Sequence, residues 1–78
     1  MTKPKIISDP NVLLGKPVVE GTRLSVELIL EKLSEGWSYT DLLDAYPRLT
    51  TGGIEAVLNY AAAVVRNEEE YPVLSKAA

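Results

Sequence analysis

The side chains of this chain that could do chemistry are carboxylates, hydroxyls, lysines and arginines, because it contains no histidine and no cysteine. That removes the imidazole base, the thiolate nucleophile and the soft metal ligand together. A catalytic centre would have to rest on paired carboxylates or on an activated serine, threonine or lysine. Glu27, Glu31 and Glu35 recur at every fourth position, the spacing of a solvated helix stripe, and Asp41 and Asp44 fall on the next segment. Phosphate loop, nucleotide fingerprint and nucleophile elbow are all absent. These residues point to a binding protein, not an enzyme, and to no cofactor.

Two segments carry binding chemistry. Thr50-Thr51-Gly52-Gly53 opens a helix with two glycines in its first turn, which leaves backbone N–H groups unshielded where a helix N-terminus accepts phosphate. With Arg48 before it and Asn59 and Arg66 farther along, it forms a candidate contact to DNA phosphates. Glu55 on the same face would repel phosphate, and an ordinary capped helix start is the competing reading. The second segment, Gly15-Lys16-Pro17-Val18-Val19-Glu20-Gly21-Thr22-Arg23, is the most distinctive in the chain. Two glycines bracket a short strand, Thr22 or Ser25 is placed to cap the next helix, and Arg23 can fork onto a carboxylate or a carbonyl. Its competing reading is a hairpin scaffold with a structural arginine.

The elements that must position these residues are short. Ile6-Ile7 is a β-prone pair stopped by Asp9-Pro10-Asn11, and Val12-Leu13-Leu14 is a brief apolar run ended by Gly15. Val18-Val19 and Arg23-Leu24 flank Glu20-Gly21-Thr22 as a tight hairpin. Ser25 caps a first helix whose apolar face is Val26, Ile29, Leu30 and Leu33, with Gly36 as its stop. A second helix starts at Ser38, with Asp41 completing a capping box, and Pro47 ends it. The third and longest helix is capped by Thr50 or Thr51, buries Ile54, Val57, Leu58, Ala61, Ala62 and Val65, and ends near Arg66–Asn67. The expected fold is mainly α: a three-helix, helix-turn-helix-like domain over residues 1–67 with a short N-terminal β hairpin, followed by an acidic and apolar tail over 68–78.

With 78 residues and 46% hydrophobic composition the chain is one small globular domain. Small domains are commonly reinforced by disulfides, metals or a second subunit. Without cysteine or histidine, self-association remains, so a homodimer is expected, with its contact on the hairpin and first helix. A net charge of −3 gives no support to non-specific attraction for nucleic acid. No apolar run reaches the roughly 18–20 residues of a membrane helix, and Met1-Thr2-Lys3-Pro4-Lys5 lacks an apolar signal region behind it, so a cytoplasmic location is expected.

The order Ile7-Ser8-Asp9-Pro10, Gly15-Lys16-Pro17, Gly21-Thr22-Arg23, Gly36, Tyr46-Pro47 and Leu49-Thr50, with an alanine-rich helix after it, resembles a prokaryotic family catalogued as domain of unknown function 433. The resemblance spans about residues 6 to 66. It implies a helix-turn-helix-like domain acting as the antitoxin of a toxin–antitoxin pair, its partner a PIN-like ribonuclease and its own promoter a further target in many members. Thr51-Gly52-Gly53 departs from the bulkier or acidic residues common there. For such a role the tail is a candidate: Glu68, Glu69 and Glu70 would steer toward a cleft that handles RNA, and Tyr71, Val73 and Leu74 would anchor beside it. A DNA-binding regulator without a toxin and a structural or assembly module are the alternatives.

Overall fold

The computed structural model describes residues 4–67. Strand β1 (Ile6–Ile7) pairs antiparallel with β2 (Val18–Val19), Ile6 opposite Val19 and Ile7 opposite Val18. Between them the Asp9 carboxylate accepts the Asn11 N–H at 2.9 Å, and the chain ends this excursion in a 3₁₀ turn at Leu13–Gly15. After β2 the chain reverses at Gly21, whose φ of +82° lies in the left-handed region that glycine enters without a steric penalty. Thr22 clamps the reversal, its hydroxyl donating to the Val19 carbonyl at 2.8 Å and accepting the Leu24 N–H at 3.0 Å.

The returning chain lies along the free edge of β2. Val19 donates to the Leu24 carbonyl, Val18 faces Ser25, and Val26 donates to the Pro17 carbonyl. The tight hairpin expected across Gly21 is therefore reduced to a single bridge, and the strand pair forms with Ile6-Ile7 instead. Both neighbours bring one residue to the core, Ile6 from β1 and Leu24 from the returning chain, so β2 is bonded on each side. Two-residue strands are marginal alone, and β2 persists because it is bonded on both edges and covered by helices.

The helices begin and end where their caps dictate. Helix α1 (Val26–Ser34) starts with the Ser25 hydroxyl accepting the Leu28 N–H at 3.0 Å, and Gly36, at φ +97°, turns the chain away after it. Helix α2 (Tyr39–Ala45) carries a complete capping box between Ser38 and Asp41, and Pro47 stops it. Helix α3 (Thr51–Asn67) is capped by Thr50, whose hydroxyl accepts the Gly53 N–H at 3.0 Å. Trp37 stacks on Tyr46 with ring centroids 6.5 Å apart, and the Lys32 ammonium sits 4.9 Å above the Trp37 ring. These contacts tie the end of α1 to the end of α2. Among the described residues no helix is long and apolar enough to cross a membrane.

The core takes one or two residues from β2, each helix and the turn before α3: Val19, Val26, Ile29, Leu42, Leu49, Ile54 and Val57. Gly53 lets α3 sit directly on β2. A Cβ there would lie 3.1 Å from Leu49 Cδ1 and 3.3 Å from Val19 Cγ1. The buried face expected for α3 is cut short. Ile54 and Val57 are buried, but Leu58, Ala62 and Val65 are exposed and Ala61 is half-buried. At 1.5 Å per residue α3 is about 25 Å long; its fully buried residues lie in the first two turns, and Tyr60 in the third packs on the core half-buried.

The Gly53→Ala variant tests this seat. Overpacking costs about 1–3 kcal/mol and outweighs the roughly 1 kcal/mol gained in helix propensity, so a net loss of about 1 kcal/mol is expected. Urea unfolding followed by fluorescence of the single tryptophan, Trp37, measures it; a gain would show that Leu49 gives way freely.

Candidate partner-binding surface

Arg23 leaves the sheet immediately after the Thr22 clamp. It is exposed, and among the described residues it makes no hydrogen bond or ion pair, so the structural-arginine reading does not hold there. Arg48 stands in the turn between α2 and α3, exposed and likewise unengaged. The two converge on one hollow of about 340 Å³, lined by Thr22, Arg23, Leu24, Tyr46, Pro47 and Arg48. The glycine–threonine–arginine turn and the tyrosine–proline turn, separate in sequence, thus build a single place. Its lining is mostly apolar and includes two arginines that have no side-chain partner among the described residues; a guanidinium suits a carboxylate or phosphate.

A second hollow, of about 450 Å³, adjoins it and shares Arg23; Leu13, Leu14, Lys16, Ser25 and Leu28 complete its lining. Leu13 and Leu14 both hold left-handed backbone, with φ of +50° and +57°. For L-residues that conformation costs roughly 1–2 kcal/mol each. The turn is held closed by the Ser8 hydroxyl donating to the Gly15 carbonyl, and by Gly15 and Lys16 N–H groups donating to the carbonyls of Val12 and Leu13. Lys16 is anchored by an ion pair to Glu27 at 3.1 Å. The result is an apolar side chain held out in water: Leu14 is 95% exposed and Leu13 43%. Strain of this kind concentrates where a segment has a task beyond stability.

The remaining sequence candidates separate. Gly15, Lys16, Pro17, Gly21, Thr22 and Arg23 stay together, wrapped around β2. The residues assigned to DNA phosphate do not. Thr50 and Gly53 satisfy each other and Gly53 is buried, which makes this a conventionally capped helix start; Thr51 is exposed and Gly52 half-buried. Arg48 belongs with Arg23, while Asn59 and Arg66 lie along α3. Among the carboxylates, Glu27 pairs with Lys16, Glu35 lies 3.9 Å from Lys32 and Asp41 is engaged in its capping box. The tail candidates Glu68, Glu69, Glu70, Tyr71, Val73 and Leu74 lie outside the described residues. Leu13 and Leu14 were legible only as an apolar pair too short for a strand, wedged between turn-forming residues; that wedging was the available signal.

Leu14→Gly relieves the strain and removes a side chain that packs on almost nothing. Against the larger unfolded-state entropy of glycine, a net stabilisation of about 0.5–1 kcal/mol is expected. A rise in the thermal midpoint of a few degrees, roughly 4–8 °C per kcal/mol for a domain of this size, checks it. An unchanged or lowered midpoint would show that Leu14 contributes packing.

No solved structure matches this chain. A protein of Sinorhizobium fredii, "Uncharacterized protein y4eO", is 36% identical over 58 residues, 74% of this chain and 26% of that protein. The chain thus spans about a quarter of the length of the curated relative it matches. The family model matches residues 6–61, from β1 through the arginine-bearing turns and into the middle of α3, so the chain belongs to the family described as "Protein of unknown function (DUF433)".

Proposed function

We propose that this protein is an antitoxin-like binder that docks on a PIN-like ribonuclease and silences it, working in the cytoplasm. The observation that supports this reading is the surface where the strained, exposed Leu14 and the unengaged Arg23 and Arg48 meet two adjoining hollows. An apolar anchor beside desolvatable guanidiniums is the composition of an interface hot spot. A ribonuclease that works through metal ions gathers carboxylates at its centre, and guanidiniums match carboxylates bidentately. The protein has no histidine or cysteine with which to act on RNA itself. It would act by occupying the nuclease.

The second reading, a DNA-binding regulator or an antitoxin that also binds its promoter, treats α2, the turn and α3 as a helix-turn-helix. Such a motif reads bases with the outer face of its second helix. In this chain that face offers Asn59 and Arg66 as donors, but it also carries Glu55 and the apolar Leu58, Ala62 and Val65. That composition favours protein over DNA.

Affinity capture of the full chain from its native host, without nuclease treatment, tests the proposal. A small ribonuclease at near-equal stoichiometry is expected to co-elute. The Arg23→Ala/Arg48→Ala variant should then bind it at least about 100-fold more weakly, since each charge-assisted contact contributes about 1.5–3 kcal/mol. Its unfolding midpoint should not move, because neither side chain holds the fold. Co-elution of DNA alone, with affinity that falls steeply as salt rises, would sink the antitoxin reading and favour the regulator.

A further inference from the structure

We infer that the outer face of α3, in place of the hairpin and first helix expected from sequence, is the seam of a homodimer, two copies of the helix packing antiparallel across a twofold axis near Ala61 and Ala62. At 3.6 residues per turn, Glu55, Leu58, Ala62, Val65 and Arg66 fall within an arc of about 100° on one side of the helix. All five are exposed, Leu58 by 38% and Val65 by 71%. Between Glu55 and Arg66 the helix carries no charge on any side. The domain half-covers one side of this stretch, where Tyr60, Ala61 and Ala63 lie, but it leaves Leu58, Ala62 and Val65 exposed on the other, and an apolar stripe on a helix calls for a partner surface.

The pattern fits a second copy because it is complementary to itself, which a twofold interface requires. Leu58 and Val65 are placed evenly about the boundary between Ala61 and Ala62. Glu55 and Arg66 are placed evenly about the boundary between Tyr60 and Ala61. The two midpoints differ by one residue, so aligning one pair offsets the other by two residues, or about 3 Å along the helix, within side-chain reach. Antiparallel packing therefore sets Leu58 against the partner's Val65 and Glu55 opposite the partner's Arg66, with the small alanines at the crossing where the backbones approach most closely. Glu55 keeps an interaction within its own chain, and a carboxylate has acceptor sites for a second donor. A single seam of this kind lies at the small end of specific interfaces, so a dissociation constant on the order of micromolar is expected. None of these residues lines the two hollows, and the inference does not depend on what binds there.

Sedimentation equilibrium of the full 78-residue chain is the test. The wild type should dimerise, and Val65→Glu, which removes little packing in the monomer, should raise the dissociation constant at least about tenfold while leaving the circular dichroism unchanged. Glu55→Arg and Arg66→Glu should each weaken the dimer several-fold, and the two together should restore it, as only an antiparallel seam permits. A chain that stays monomeric up to about 1 mM overturns the inference. So does a dimer indifferent to Val65→Glu, or a charge reversal that fails to restore. A monomer that dimerises only once residues 68–78 are deleted would assign the face to the chain's own tail and overturn it as well.

Discussion

The fold depends on how closely α3 can approach β2. Val19 lies under the first turn of α3, and the contact exists because residue 53 has no side chain to hold the two apart. Everything upstream is arranged around the same two valines. Val18 and Val19 are buried completely, bonded to β1 on one edge and to the Leu24–Val26 segment on the other. A strand of two residues has too few ladder bonds to survive in water. Covered by a helix and flanked on both edges, it becomes the centre from which the Gly21 reversal projects Arg23 and toward which Leu49 and Ile54 pack.

That arrangement divides the polar residues into those that hold the structure and those that do not. Thr22, Ser25, Ser38, Asp41 and Thr50 each satisfy backbone groups at a turn or a helix start. Their hydrogen bonds are the ones whose loss would leave donors unpaired. Arg23 and Arg48 stand apart: exposed, unengaged among the described residues, and brought to one hollow by turns that close for unrelated local reasons. The strained Leu13-Leu14 turn lies beside them, and neither leucine belongs to the core. In a domain whose total stability is only about 4–12 kcal/mol, two residues costing roughly 1–2 kcal/mol each are a substantial charge against it.

The same economy explains α3. A chain this short cannot build a core deep enough to cover a helix of 17 residues, so full burial ends at Val57 while the apolar run continues. Most of the stability of a helix in a protein comes from the packing of its apolar face. Its outer half is thus both a liability for the monomer and an opportunity for assembly, and Glu55 and Arg66 bracket it with opposite charges.

The sequence alone determined the elements. Caps and stops are local chemistry: Ser25, Ser38 and Thr50 start helices, and Gly36 and Pro47 end them, because the groups they satisfy or deny lie within four residues. The mainly α class with its N-terminal strands followed from the same signals. What only the tertiary structure decided was which surfaces remain. Between Ile54 and Val65 apolar residues occupy nearly every side of α3, so periodicity cannot separate the buried stripe from the exposed one; the extent of the core does that. That β2 pairs with Ile6-Ile7 on one edge and meets the Leu24–Val26 segment on the other is likewise a tertiary outcome. The joining of Arg23 to Arg48, 25 residues apart in the chain, required α3 to settle on Val19, a contact between distant residues that no local signal encodes.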